Sequence, residues 1–184
     1  MKQDRARRTH ALLLDSAAAE FSLHGFTGTN LSDIATRSRL TKGALYGHFS
    51  SKAELADELT RTFEEEWGKL LAEERSSVRA LALRLTRRMD EDVRFAAGLR
   101  LTTDAARVDG RESVPLGELR SQLVELIRAA QDDGRITEHF RPHTLAGVAL
   151  ALFLGTHAAD WVVGDTGAAD HWDAFLSALR TDAG

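Results

Sequence analysis

Apolar residues recur every three to four positions along most of this 184-residue chain, a spacing that places them on one face of an α-helix. Three such stripes lie within residues 13–21, 55–67 and 119–130. Only two prolines occur, Pro115 and Pro142, while the helix-favouring residues Ala, Leu, Arg and Glu are abundant. The sequence therefore predicts an all-α protein.

The composition excludes several classes of site. Cysteine is absent, which excludes disulfides, thiolate metal sites and cysteine nucleophiles. Asp15 interrupts the short apolar run that follows the basic N-terminus, so no signal sequence is expected. The longest apolar stretch, residues 145–155, is shorter than the roughly 18 residues that a membrane-spanning helix needs. We therefore expect a cytoplasmic protein with no membrane partner.

Charge is distributed unevenly along the chain. Residues 1–52 contain eight Lys or Arg and four Asp or Glu, a net charge of +4, whereas the whole chain has a net charge of −4. The residues after position 52 therefore carry −8. This asymmetry predicts that the first segment faces a polyanion, although chance clustering of surface charge would give the same counts.

Capping residues divide the first part of the chain into helices. Gly25 is expected to end the first helix in a left-handed conformation. Thr29 or Asn30 would cap the second helix and Thr41 the third. The expected helices are 4–24, a short segment before a turn at 38–39, 42–49, and a long helix to 74 opened by a capping-box pattern at Ser51 and Glu54.

Helices also dominate the predicted second part of the chain. A loop is expected at 109–115, and Gly134 would close the helix that contains 119–130. Pro142 suits a first helical position. Further helices are expected at 78–89, 93–107 and 142–163, with an acidic loop at about 160–173 and a final helix that carries Trp172, Phe175, Leu176 and Leu179.

Residues 29–52 carry the pattern most informative about function. Two short helices joined by a tight turn, with a basic residue opening the second, are typical of a helix-turn-helix, whose second helix enters the major groove. Leu45 and Phe49 would pack on Leu31 and Ile34. The groups then suited to DNA are Lys42 (guanine or phosphate), Gly43 (close backbone approach), Ala44 (thymine methyl), and Tyr46, His48 and Lys52 (phosphates). A solvated surface would carry similar residues.

The same segment resembles the DNA-binding region of the TetR family. The positions that match are Phe21, Gly25-Phe26, Ile34-Ala35, 41–46, His48-Phe49 and 51–55. The resemblance implies a repressor that binds a palindromic operator as a dimer and leaves it when a small molecule occupies the C-terminal domain.

Carried over at the matching positions, the resemblance also assigns roles to residues. Ser32, Lys42, Gly43 and Ala44 would face bases, while Thr29, Thr41, Tyr46, His48 and Lys52 would hold the DNA backbone. Arg5, Arg7 and Arg8 would reach phosphates or the minor groove.

Two positions depart from the family pattern. Arg39 stands where glycine is usual in the turn, at a cost of about 1 kcal/mol if its φ is positive, which a phosphate contact would offset. Gly47 replaces a common aromatic residue, which weakens the third helix and removes one potential DNA contact.

A narrower resemblance connects residues 42–45 and 78–104, including the run Gly98-Leu99-Arg100-Leu101-Thr102, to the γ-butyrolactone autoregulator receptors of actinomycetes. Those receptors typically have a pocket tryptophan where this chain reads Leu116-Gly117-Glu118-Leu119. The effector is therefore either a γ-butyrolactone-like signal or another small molecule, such as a different lactone, a furan or an antibiotic-like compound.

The predicted organisation is a helix-turn-helix DNA-binding domain at 1–52 and a helical ligand-binding and dimerisation domain at 53–184. Apolar residues at helical spacing are usually core, but in this domain they are also the candidates for an effector pocket. The candidate ligand-binding residues are Phe63, Trp67, Met89, Phe95, Leu99, Thr102, Leu126, Phe153 and Trp161.

Small residues recur every fourth position at Gly147, Ala151, Gly155 and Ala159, which predicts close helix packing in a homodimer or, alternatively, within one chain. His157 and Asp160 share a face, but two ligands do not make a metal site, so no metal and no cofactor are expected.

Other functional classes remain alternatives. One is a multidrug-type regulator of an efflux gene, and another is a helical adaptor whose basic N-terminus binds an acidic protein. No nucleophile elbow, phosphate loop or zinc-protease motif occurs in the sequence, so no enzyme and no catalytic residue are predicted.

Overall fold

The computed structural model describes residues 2–158 and 167–180, and it confirms the all-α prediction for them. An isolated bridge between Ile136 and Arg180 is the one extended pairing in this part of the chain. Its helices are α1 (Lys2–Gly28), α2 (Leu31–Ser38), α3 (Lys42–Tyr46), α4 (Lys52–Glu73), α5 (Val78–Glu91), α6 (Val93–Val108), α7 (Val114–Asp132), α8 (Pro142–Ala158) and α9 (Ala168–Ala178).

The chain divides into two compact units. The first contains residues 1–67 and 88–115, and the second contains 68–87 and 116–184. The first unit therefore takes in α6 as well as α1, α2, α3 and most of α4. The predicted domain boundary between residues 52 and 53 stays a prediction, and α4 runs through it without a break.

One apolar core holds the first unit together. Its members come from α1 to α4 and from α6, and nearly all are aliphatic or aromatic. They are Leu13, Leu14, Ala17, Ala18, Phe21, Ile34, Ala35, Leu45, Phe49, Leu55, Ala56, Leu59, Ala97 and Leu101, with Leu31 and Leu40 packed at the margin. The predicted stripe of α1 and the packing of Leu45 and Phe49 toward Ile34 and Leu31 are confirmed.

A buried amide and a surface ion pair connect helices of the second unit. The Gln122 side chain donates to the carbonyls of Leu71 (3.0 Å) and Glu74 (2.6 Å). These bonds satisfy carbonyls at the end of α4 that the helix itself leaves unpaired. Arg79 of α5 forms a two-pronged ion pair with Asp173 of α9, at 2.5 and 2.9 Å.

Two helix boundaries in the first unit differ from the sequence expectation. α1 continues to Gly28, but Gly25 interrupts it with φ 67° and ψ 179°. The positive φ expected of Gly25 is confirmed, whereas its extended ψ differs from that of the predicted left-handed cap. α3 ends at Tyr46 rather than at residue 49. The N–H groups of His48 and Phe49 both donate to the Leu45 carbonyl at 2.9 Å. Because they share this acceptor, the chain after Tyr46 forms a turn and the helix does not continue.

Two later boundaries also differ. α7 begins at Val114, where a loop was expected to reach Pro115; proline is tolerated in a first helical turn because its missing N–H would have no partner there. α9 begins at Ala168, inside the predicted acidic loop, with Asp170 in a first turn that favours negative charge. The predicted end of the helix near 163 lies outside the described residues.

Candidate nucleic-acid interface

Side-chain caps define the start of both helices of the predicted DNA-binding motif. The side-chain oxygen of Asn30 (Oδ1) accepts hydrogen bonds from the N–H groups of Ser32 (2.9 Å) and Asp33 (3.0 Å), so Asn30 and not Thr29 caps α2. The Thr41 hydroxyl accepts from the N–H of Ala44 at 3.2 Å, which confirms the predicted cap of α3. Both caps satisfy N–H groups that short helices leave unpaired.

The turn between α2 and α3 is a Schellman motif with arginine at its left-handed position. Arg39 has φ 56° and ψ 33°. Its N–H donates to the Thr36 carbonyl at 3.1 Å, and the Leu40 N–H donates to the Ala35 carbonyl at 3.0 Å. This is the pairing of the motif that usually ends in glycine. A non-glycine residue in this conformation costs about 1–2 kcal/mol.

The outer surface of α3 is polar and solvent-accessible. Lys42, Gly43 and Tyr46 are exposed, and Tyr46 retains 57% of its accessible surface; we call these three residues the recognition face. Leu45 and Phe49, on the opposite side, are 0% and 1% exposed. The buried side anchors the helix, so the recognition face is held in a fixed orientation and open to a partner.

The remaining residues assigned to bases or to the DNA backbone differ in accessibility. Ser32, Ala44 and His48 are half-buried, whereas Thr41 is exposed. His48 lies edge-on to His10, with ring centroids 6.3 Å apart, and His10 contacts Glu58 at 3.4 Å. Arg5, Arg7 and Arg8 are exposed on the first turns of α1.

Thr29 and Lys52, two of the residues assigned to phosphates, turn toward the protein. The Thr29 hydroxyl donates to the Gly25 carbonyl at 2.8 Å, and Thr29 is 2% exposed. The Lys52 ammonium donates to the carbonyls of Phe26 (2.7 Å) and Thr29 (2.8 Å) and lies over the Phe26 ring. Both side chains hold the α1–α2 turn in this conformation, and their DNA contacts stay predictions.

The start of α4 uses the predicted capping pattern in a modified form. The Ser51 hydroxyl accepts from the Glu54 N–H at 3.1 Å, as expected. The Glu54 carboxylate instead accepts from the hydroxyl (2.7 Å) and N–H (2.6 Å) of Ser50, one residue earlier than a capping box requires. These hydrogen bonds lower the pKa of Glu54, because they favour its charged form.

Helix α6 is fastened to α1 by two arginines. Arg94 pairs with Asp15 at 2.7 Å and donates to the Ala11 carbonyl at 2.9 Å. One turn and a half further along, Arg100 donates to the Ser22 carbonyl at 2.7 Å. A displacement of α6 would therefore act directly on α1, the first helix of the predicted DNA-binding domain.

The residues assigned to effector binding do not form one group. Phe63, Trp67 and Phe95 make an aromatic cluster in the first unit, with ring centroids 5.0 to 6.1 Å apart. Leu99 is buried in the same unit, and Met89 and Thr102 are half-buried there. Leu126 and Phe153 belong to the second unit. Trp161 lies outside the described residues.

The aromatic cluster is tightly packed. A Cβ added to Gly98 would overlap the Cβ and Cγ of Phe63, so α4 and α6 approach closely because Gly98 has no side chain. The Trp67 indole N–H is buried and has no hydrogen-bond partner among the described residues. An unpaired buried donor is unfavourable, and nothing in the sequence pattern indicated it.

A groove of about 750 Å³ lies in the first unit beside α4 and α6. Its wall includes Ala56, Asp57 and Thr60 of α4, Thr102 and Ala105 of α6, and Phe26 at the end of α1. Thr102 is the one predicted ligand residue that lines it. Sequence reasoning missed the other lining residues, most of which are small, polar or charged and carry no apolar periodicity.

Within residues 2–158 and 167–180, no cluster of three or more His, Asp or Glu is placed to hold a metal ion. The helices of this part of the chain are also too short or too polar to cross a bilayer.

Comparison with known proteins identifies relatives of the chain. The family described as bacterial regulatory proteins, tetR family, matches residues 13–59, from α1 into α4. The A-factor receptor protein of Streptomyces griseus is 31% identical over 176 residues, which cover 92% of this chain and 60% of that protein. The chain thus spans less than two thirds of the length of that relative.

Two solved structures match nearly the whole chain. A γ-butyrolactone receptor described as ArpA-like is 25% identical with a TM-score of 0.71, and the match covers 97% of this chain and 91% of that one. CprB of Streptomyces coelicolor, solved with its biological operator sequence, is 26% identical with a TM-score of 0.72 and the same coverage. Residues 13–59 thus match the tetR family of bacterial regulatory proteins, and nearly the whole chain is similar to these two proteins.

Proposed function

We propose that the protein is a DNA-binding transcriptional repressor that a small molecule releases from its operator. The observation that carries this proposal is the recognition face: exposed Lys42, Gly43 and Tyr46 on a helix capped by Thr41 and anchored by buried Leu45 and Phe49. A cationic donor, a glycine that permits close approach and a phenol suit base edges and phosphates. Such a regulator acts on the chromosome, so we place it in the cytoplasm.

A homodimer would supply the two-fold symmetry of a palindromic operator. The outer side of α8 supports this assembly, because Gly147, Ala151 and Gly155 are exposed beside Val148 (48%) and Leu154 (38%). Small residues permit close approach of a second helix, and the exposed aliphatic groups supply apolar area. Ala151→Arg should convert the dimer to a monomer in light scattering; an unchanged mass would place the interface elsewhere.

The effector of this repressor is proposed to be a small, mainly apolar molecule, either a γ-butyrolactone or another compound of similar size. The groove beside α4 and α6 has a volume of about 750 Å³, within the range of small-molecule sites. Because α6 lines this groove and also holds α1 through Arg94 and Arg100, an effector that shifts α6 would move the DNA-binding helices.

A footprint of the protein on its own upstream DNA tests the central proposal. Protection of an inverted repeat is the expected result. In the same assay, Lys42→Ala should weaken operator binding by about 1–3 kcal/mol if Lys42 contacts a base. Binding that is equally weak on all sequences would instead favour a basic surface that takes acidic partners, as in an adaptor.

The proposal that an effector binds in the groove beside α4 and α6 is tested separately. A 2-acyl-γ-butyrolactone, titrated into the protein–operator complex, should release the DNA, and Ala105→Trp should block release by filling the groove while leaving operator affinity unchanged. Release that persists in Ala105→Trp would move the effector site away from this groove. Release by large cationic drugs and not by the lactone would favour a multidrug-type regulator.

A further inference from the structure

Arg39 shows a combination of features that its place in the fold does not explain. It is the one non-glycine residue with positive φ among the described residues. Its side chain is exposed, and its guanidinium has no hydrogen bond or ion pair within that part of the chain. Glycine would form the same Schellman motif without strain. The side chain therefore adds nothing to the folded monomer that would offset the unfavourable backbone conformation.

Arg37, two residues earlier, provides the contrast. Its guanidinium donates to the Glu20 carboxylate at 2.6 Å, and the Glu20 side chain is only 9% exposed. Arg37 thus joins α2 to α1, and its presence is explained by that ion pair. Arg39 lies in the same short segment and carries the same charge, yet it is left facing solvent.

The location of Arg39 indicates the chemistry it serves. It follows the last residue of α2 and comes two residues before Thr41, the cap of α3. In a helix-turn-helix the first helix crosses the DNA backbone and the start of the second enters the major groove, so the turn that joins them lies next to a phosphate strand. A guanidinium there can donate two hydrogen bonds to one phosphate.

We propose that Arg39 is a DNA-phosphate anchor, a contact in which a strained backbone conformation is retained for the sake of binding. The proposal rests on the DNA-binding function proposed above and adds a residue to its interface. The contact is independent of base sequence, and it sets the depth and orientation of α3 relative to the phosphate strand. Replacing Arg39 with glycine should therefore raise the stability of the protein and lower its affinity for DNA.

Three variants separate charge from backbone strain. Arg39→Gly removes both, Arg39→Asn removes the charge while tolerating the left-handed conformation, and Arg39→Lys keeps both. Binding of a fluorescently labelled duplex of random sequence would be measured by anisotropy between about 50 and 200 mM salt. Thermal unfolding of each variant would be measured without DNA.

Arg39→Gly should raise the unfolding temperature by about 2–4 °C, since the strain is relieved. The same variant should bind DNA about three- to tenfold more weakly at the lower salt concentration. The slope of log affinity against log salt concentration should become shallower by about 0.9 per chain. Arg39→Asn should lose the same amount of DNA affinity and salt dependence, with a smaller rise in unfolding temperature. Arg39→Lys should keep the salt dependence and show no gain.

Two results would overturn the assignment. Unchanged salt dependence in both Arg39→Gly and Arg39→Asn would show that no phosphate contact is lost. A lower unfolding temperature in Arg39→Gly would show that the arginine stabilises the fold, so that any loss of affinity is indirect. If the unaltered protein binds no duplex at all, the proposed function itself fails, which is a different result from variants that bind as well as the unaltered protein.

Discussion

The recognition face and the aromatic cluster belong to the same compact unit, yet they relate to function in opposite ways. The recognition face consists of exposed groups on a five-residue helix that folds only because its other side is buried. The aromatic cluster consists of buried rings, at most 2% exposed, that contact one another. On an exposed surface, a polar residue can be recognised from the sequence as a candidate for binding, because packing does not require it there. In a core, the residues that bind a ligand and the residues that only pack are the same kinds of residue.

The largest expected difference between these regions is in stability. Phe63→Ala should destabilise the protein by about 3–5 kcal/mol, because it removes a ring that is 1% exposed and touches both Trp67 and Phe95. Tyr46→Ala, at 57% exposure, should change stability by about 0.5 kcal/mol or less. Urea denaturation of both variants measures the contrast. Similar losses would mean that Tyr46 also supports the fold.

A glycine pair tests how closely α4 and α6 are packed. Gly98→Ala should cost about 1–3 kcal/mol, because its new methyl group would overlap Phe63. Gly68→Ala is the control, since nothing lies within 4 Å of a Cβ built at this helical position, and it should stabilise the protein by roughly 0.5–1 kcal/mol. Chemical denaturation of both measures the difference. A neutral Gly98→Ala would show that the cluster has room for a ligand without moving α6.

The two buried tryptophans, one in each unit, allow the effect of an unpaired indole N–H on stability to be compared. Trp67 and Trp172 are each 1% exposed, and the indole N–H of each lacks a partner among the described residues. Trp67→Phe should change stability by about 1 kcal/mol or less, because loss of an unpaired buried donor offsets much of the lost apolar contact. Trp172→Phe is the matched control in the second unit. A much larger loss for Trp67→Phe in thermal unfolding would indicate a partner for its N–H, such as a buried water.

The smallest expected effect concerns the start of α4. Hydrogen bonds from Ser50 lower the pKa of Glu54 below its ordinary value of 4.5, so their contribution to stability is present above that value and is lost as the pH falls through the lowered pKa. The unaltered protein should therefore be slightly more stable than Ser50→Ala near pH 7, and this difference should be smaller near pH 3. Urea titrations at both pH values measure this; a difference that persists undiminished in acid would contradict it.

Much of the first unit could be predicted because local rules act there without competition. The cap at Thr41, the positive φ of Gly25 and the inward positions of Leu45 and Phe49 all follow from spacing and residue type, and the structure has them. Positive φ at Arg39, which the matched segment raised only as a condition, is present in the structure. In each case one short-range interaction decides the conformation.

The sequence left a choice open, or missed a contact, where two local solutions compete or where the deciding contact is distant. Both Thr29 and Asn30 are acceptable caps, and Asn30 is used while the Thr29 hydroxyl donates to Gly25. Ser50 and Ser51 are adjacent donors for Glu54, and Ser50 is used. The close approach of Phe63 to Gly98 joins residues 35 positions apart, and no sequence period reveals such a contact. The residues that bind DNA or the effector remain predictions, because only a bound complex tests them.

The apolar core of the first unit has a consequence for anyone who wishes to reuse its DNA-binding part in a chimeric regulator. That core includes Ala97 and Leu101 of α6, which lie far along the chain from the helices they cover. A cut after residue 52 would leave the apolar surface beneath α6 open to water, and would also remove the partners of Asp15 and the Ser22 carbonyl. Transplantation should succeed only when residues 88–115 are transferred together with 1–67, so the proposed operator specificity would be exchangeable only as a discontinuous module.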